Sequence, residues 1–232
     1  MKHRTWRHKS SALIAAVALL ATACGDDNKD SATETTDKTG ETSSSSPAMP
    51  SSATGAATLR AALTSLLQEH VYLAGVAVST GVGSGLDSPQ FEAAAGALGE
   101  NTTALADAIE SVYAGAGDAF SELWAKHIGF FVDYTAGKAA KDTAKADKAI
   151  SDLDAYRADF GAFLASANPN LTQDAVAEAL VPHAATLFAA IDAVVAGDGK
   201  AFSLLRKAAQ EMPAIADVLA GAIVAQFPEK FV

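Results

Sequence analysis

Three histidines, His70, His127 and His183, are the residues in this sequence best placed to do chemistry. Each lies where apolar residues recur three and four apart, and each occupies the apolar stripe itself. The first stripe runs Leu59, Leu63, Leu66, His70, Leu73, Ala77. The second runs Phe120, Leu123, His127, Phe130, Tyr134, and the third Val176, Leu180, His183, Leu187, Ala190, Val194. A stripe of that period is the face an amphipathic helix turns to its neighbours. A histidine on such a face must satisfy two ring nitrogens away from water, by hydrogen bonds or by a metal ion. Three imidazoles converging from three helices predict a first-row transition-metal site. The shortage of carboxylates on the stripes points to copper, with zinc as the alternative, before magnesium or calcium.

A further stripe, Phe202, Leu205, Ala209, Met212, Ile215, Leu219, sets a thioether on the same kind of surface. Met212 is the candidate soft fourth ligand, one that favours Cu(I). Glu69 and Glu211 are candidate outer-shell partners that would orient an imidazole. Pro182 and Pro213 adjoin His183 and Met212 and remove helix hydrogen bonds there, so they bend the helices at that level or, for Pro182, open a new segment. Without a metal, the same histidines read as hydrogen-bonded core residues and Met212 as a gap-filler. The sequence holds no Glu-x-x-His pair, no His-Glu-x-x-His, no P-loop, no dinucleotide fingerprint and no Gly-x-Ser-x-Gly elbow.

The elements that must position these side chains are helical. From Ala56 onward the three-and-four spacing continues with almost no alternation. Gly, Pro and Asn clusters divide it into about six helices, near 56–79, 88–114, 117–138, 142–167, 172–196 and 199–226. Asp87-Ser88-Pro89 and Thr172 with Asp174 read as helix starts. At an offset of 82 residues, Leu98, Leu105, Ile109, Gly115, Gly117 and Phe120 meet identical residues at Leu180, Leu187, Ile191, Gly197, Gly199 and Phe202. The expected fold is therefore all-α, with two weakly repeated three-helix units in one antiparallel bundle.

Before Ala56 the character differs. Lys2, Arg4, Arg7 and Lys9 precede the short apolar run 12–23, which is too short to span a bilayer and reads as a signal peptide over 1–23. The chain has 17 basic and 27 acidic side chains, a net charge of -10; without the four basic residues of the leader, 13 remain against 27, and the net charge is -14. That balance argues against a nucleic-acid partner. Residues 25–55 contain no Val, Ile, Leu, Phe, Tyr or Trp and include Ser43-Ser44-Ser45-Ser46, the composition of a flexible stalk. The expected division is a signal peptide over 1–23, a lipidated cysteine and stalk over 24–55, and a helical domain over 56–232.

Leu20-Ala21-Thr22-Ala23-Cys24-Gly25 resembles the lipobox of bacterial lipoproteins, with Cys24 the only cysteine in the chain. That resemblance implies diacylation of the Cys24 sulfur and a protein exported to, and tethered on, the outer surface of the cell membrane. The phrases 66–75, 126–135, 165–170 and 220–223 look like those of exported helical proteins of Gram-positive bacteria, sometimes labelled copper amine oxidases. A copper amine oxidase builds its quinone from the tyrosine of an Asn-Tyr-Asp/Glu motif and binds copper through a His-x-His pair. This chain has Val132-Asp133-Tyr134 and no His-x-His, so its motifs do not support that activity.

The functional expectation is a surface-anchored lipoprotein whose bundle binds a transition metal, copper first, through His70, His127, His183 and Met212, for storage, buffering or sensing. The alternative is a non-enzymatic module at the cell envelope that binds a protein partner and uses its histidines as core residues.

Overall fold

The computed structural model describes residue 52 and residues 54–231. The expected signal peptide, Cys24 and nearly all of the expected stalk lie outside the described residues. Within them the fold is all-α. Seven helices follow one another: α1 Gly55–Ser84, α2 Pro89–Val112, α3 Gly117–Ala140, α4 Thr143–Ala167, α5 Gln173–Ala179, α6 Val181–Val195 and α7 Lys200–Gln226, with a closing 3-10 turn Pro228–Lys230.

Local chemistry accounts for most of the boundaries. Thr54, Ser88, Asp142 and Thr172 each accept a hydrogen bond from the backbone N–H three residues on, occupying one of the free donors at the start of α1, α2, α4 and α5. The first helix begins one residue earlier than the pattern suggested and continues five residues beyond residue 79, through Gly81 and Gly83. Gly81 is retained in the helix for closeness: a Cβ there would lie 2.6 Å from Leu86. Gly115 and Gly197 close α2 and α6 with φ of 86° and 67°, a backbone region that side chains disfavour.

The expected single helix over 172–196 is two helices. Pro182 has no N–H and its ring crowds the carbonyl four residues back, so α5 ends at Ala179 and α6 restarts with Pro182 in its first turn. Pro213 instead sits inside α7. The carbonyl it cannot bond is that of Ala209, and the Gln68 side chain of α1 donates to that oxygen at 3.2 Å. A neighbouring helix thus supplies the hydrogen bond that proline removed.

Helix α1 is central, packed against α2 and α7 and touching α3 and α6, while α3 pairs with α4 and α6 with α7. This placement widens its buried face. Leu67 and Val71 are in the core, whereas Leu66 and Leu73 of the expected stripe are half-buried. On α3 the core takes Trp124 and Phe131 along with Phe120, His127 and Tyr134. Phe202, expected on the buried stripe of α7, is 78 % exposed in the first turn of that helix; its 82-residue counterpart Phe120 is 3 % exposed. Leu105 with Leu187, and Ile109 with Ile191, are buried at both places.

Three stretches, Gly55–Ser84, Gln173–Val195 and Lys200–Gln226, are long and apolar enough to cross a membrane by length and composition. In the bundle they supply much of the common core, and an ion pair between Arg60 and Asp217 joins α1 to α7 on the outer face.

Candidate metal centre

His70 comes from the middle of α1, His127 from the middle of α3, His183 from the first turn of α6 and Met212 from α7. All four are buried, at 3 %, 6 %, 8 % and 2 % exposure. The packing of α1 against α3, α6 and α7 makes them line one cavity of about 60 Å³, whose other walls are chiefly Leu, Ile, Phe, Trp124 and Tyr156. That volume exceeds the roughly 10–15 Å³ a single water needs.

His70 and His127 meet directly, Nε2 to Nε2, at 3.2 Å. Two nitrogens bound to one tetrahedral ion at about 2.0 Å each are about 3.3 Å apart. The pair is therefore spaced as two ligands of one ion would be, and also as a hydrogen-bonded pair would be. Aromatic rings fix the two imidazoles. Trp124 stands edge-on to both, at 4.5 Å from His127 and 5.0 Å from His70, and Tyr156 stacks on His127 at 5.1 Å.

Burial dominates the electrostatics. It pushes His70 down to about 3, with the neighbouring His183 adding to the effect and Asn101 opposing it. It holds His127 well below the ordinary histidine value, helped by His70 and His183 and opposed by the Trp124 backbone carbonyl. It lowers His183 to about 4. All three rings are thus neutral at physiological pH, each carrying one nitrogen lone pair.

Polar atoms around this cavity lack partners to an unusual degree. Among the described residues, seven buried side-chain atoms have no hydrogen bond, and five belong to residues lining it: Nδ1 of His70, His127 and His183, Nε1 of Trp124, and the Tyr156 hydroxyl. Native interiors leave few polar groups unpaired, and each one left calls for a reason such as strain, a catalytic role, a water or an ion.

The outer-shell candidates divide. Glu69 Oε2 accepts from Asn101 Nδ2 at 2.8 Å, and the same Nδ2 donates to the Leu66 carbonyl, one turn before His70, at 3.0 Å. Glu211 accepts from Thr186, one turn beyond His183, while its other oxygen is buried without a partner. Asn101, 4 % exposed on α2, was missed by the sequence reading. A polar residue amid the apolar face Leu98, Leu105, Ile109 was the available signal. Among the described residues no group of three or more His, Cys, Asp or Glu side chains is gathered closely enough to hold a metal ion. The arrangement is a touching pair with His183 and Met212 on the same cavity wall.

A second concavity, an open groove of about 560 Å³ between α1, α6 and the start of α7, contains no histidine and has Phe202 at its edge. The chain matches no protein-family model, no curated protein and no solved structure.

Proposed function

We propose that the bundle binds a transition-metal ion, copper as Cu(I), on His70 and His127, with His183 or Met212 completing the coordination, and that it stores, buffers or senses that metal. The observation that carries this reading is the gathering of five unpartnered buried polar atoms around one cavity that holds a pair of facing imidazole nitrogens.

The chemistry of the donors favours a soft monovalent ion. No Asp or Glu lines the cavity and its one charged wall residue, Arg157, is itself a cation, so nothing there would neutralise a second positive charge, and the desolvation cost of an ion rises steeply with its charge. Neutral imidazole and thioether suit Cu(I), which accepts two or three ligands; zinc, which wants four, is the second choice. We propose further that the protein is held at the outer face of the cell membrane through Cys24, with its apolar helices occupied in mutual packing.

Trp124 is the only tryptophan after residue 23, and it touches both imidazoles. Titration of the full chain, carrying Trp6→Phe so that Trp124 alone fluoresces as tryptophan, with Cu(I) under reducing anaerobic conditions should quench that fluorescence at one equivalent, and His127→Ala should lower affinity at least a hundredfold. No binding of Cu(I), Cu(II) or Zn(II), or unchanged affinity in His127→Ala, would sink the reading. It would favour the alternative, in which the 3.2 Å contact is a core hydrogen bond and the protein acts through its acidic surface on an envelope partner.

A further inference from the structure

The groove between α1, α6 and the start of α7 has an apolar rim as well as an apolar lining. On α1, Tyr72 and Val76 are four residues apart and so share a face; they are 46 % and 52 % exposed. On α7, Phe202 stands in the first turn at 78 %. Leu205 ties the two helices together here, packed on Gly75 so closely that a Cβ at residue 75 would collide with it. Single exposed apolar side chains are ordinary on a protein surface. Three around one apolar groove of about 560 Å³ form the kind of patch that marks an interaction site.

Charge identifies the partner. The chain has 17 basic and 27 acidic side chains, yet this face reverses the balance. Residues 70–86, along the α1 side, include no Asp, Glu, Lys or Arg, and residues 199–210 of α7 include Lys200, Arg206 and Lys207 and no acid. The one acid on the groove wall, Asp198, is occupied: its Oδ1 accepts the Lys200 N–H at 2.9 Å, and its Oδ2 lies 4.0 Å from the Lys200 ammonium. Arg206, one turn beyond Phe202 on the same face, and its neighbour Lys207 are exposed and make no ion pair among the described residues. A second copy docked through this face about a two-fold axis would bring the same free cations together with no acid to answer them. An apolar patch edged by cations suits an anionic bilayer. Aromatic and aliphatic side chains enter the boundary between headgroups and acyl chains, while Lys and Arg remain level with the phosphates.

We propose that this face is a docking surface for an anionic lipid bilayer, with Phe202, Val76 and Tyr72 entering the interface and Arg206 and Lys207 on lipid phosphates. The bundle stays closed and lies on the membrane through the second half of α1 and the first two turns of α7. Acylation of Cys24 would bring the domain within reach of such a surface, but docking does not depend on it, and replacing Cys24 in the test lets the two readings fail separately.

The test uses the full chain with Cys24→Ala, Trp6→Phe and Phe202→Trp, which sets a fluorescent reporter on the rim; the same chain without Phe202→Trp gives the background from Trp124. Vesicles of phosphatidylcholine with about one-third phosphatidylglycerol, their acyl chains brominated, should shift the reporter to the blue and quench it. Pure phosphatidylcholine should act at least tenfold more weakly. Arg206→Gln with Lys207→Gln should weaken the response to anionic vesicles about twentyfold, from about fivefold per cation. Positions 202, 206 and 207 are exposed, so these changes spare the core. Bromine quenches only at short range, so a chain that binds vesicles with the reporter unquenched is held by another segment, such as the basic leader, and overturns the inference. Equal quenching by the two kinds of vesicle, or quenching that survives loss of both cations, overturns it as well. A blue shift that grows with protein concentration in the absence of lipid would assign the face to a second copy and refute the bilayer.

Discussion

The bundle buries two clusters of polar side chains, one at the ends of α2, α4 and α7 and one around His70 and His127, and it finishes them differently. At the first, Asn168 is 1 % exposed and uses its whole carboxamide: Nδ2 donates to the Tyr113 hydroxyl at 2.8 Å, and Oδ1 accepts the Asn170 N–H at 2.8 Å. Tyr113 passes its proton to Gln226 Oε1 at 2.9 Å, and Gln226 Nε2 donates to the Ala167 carbonyl at 3.1 Å. The chain of bonds closes on the backbone and joins three helices. Around the histidines, one contact is made and five atoms are left over. Buried polar groups that are fully paired rigidify a fold, whereas unpaired ones cost stability. The first cluster is fully paired and adds to stability, and the second leaves polar atoms unpaired at a cost in stability.

Acid should separate the two clusters most strongly. Histidine in the unfolded chain titrates near its ordinary value of about 6.5, and in the fold all three histidines titrate lower. The unfolded state therefore binds more protons between these limits, and stability is full above about pH 6.5 and falls as pH drops toward 4. Each histidine contributes a slope of up to about 1.4 kcal/mol per pH unit. Urea unfolding of the metal-free protein at pH 7 and pH 5 measures it, and a flat profile would contradict the burial of the cluster.

Next in size is Asn168→Ala, which strands the Tyr113 hydroxyl and the Asn170 N–H. A loss of about 2–4 kcal/mol by urea titration is expected, with metal affinity unchanged. The converse change, His70→Leu with His127→Leu, removes both partners of a half-satisfied site together. Stability at pH 7 should stay within about 1 kcal/mol of wild type or rise, the acid slope should fall to about a third, and metal binding should vanish. A loss of several kcal/mol would place this pair in the same structural class as Asn168 and erase the contrast. The smallest effect is Gln68→Ala, about 1 kcal/mol, from the Ala209 carbonyl that Pro213 leaves open. Adding Pro213→Ala to that variant should cancel it, because the helix then bonds the carbonyl itself.

Much of this was legible from residue spacing. The helical class, the capping residues Ser88 and Thr172, and the burial of His70, His127, His183 and Met212 on inward faces all follow from period and local chemistry, which act over one or two turns. The restart at Pro182 was readable as one of two options, a bend or a new helix. The structure takes the second, with α5 ending at Ala179 and α6 beginning at Val181. Phe202 shows where the pattern misleads: in the first turn of α7 it has the spacing of a core residue and the exposure of a surface one. Asn101 shows the reverse. Its spacing marked a buried face, but its type gave no hint that it would bond the Leu66 carbonyl and Glu69 of α1.

By itself, then, the sequence determined which residues must turn inward, because hydrophobic periodicity is a local property of each helix. It could not determine which inward residues meet. Interhelical distances depend on how α1 is wedged between α2 and α7, on proline breaks and on close approaches such as that at Gly75, where a Cβ would collide with Leu205 at 2.3 Å. Those set the 3.2 Å between His70 and His127, kept His183 on the wall and not in the pair, and gave Glu69 an asparagine of α2 as its partner. Contacts between side chains of different helices are decided only when every helix has found its place.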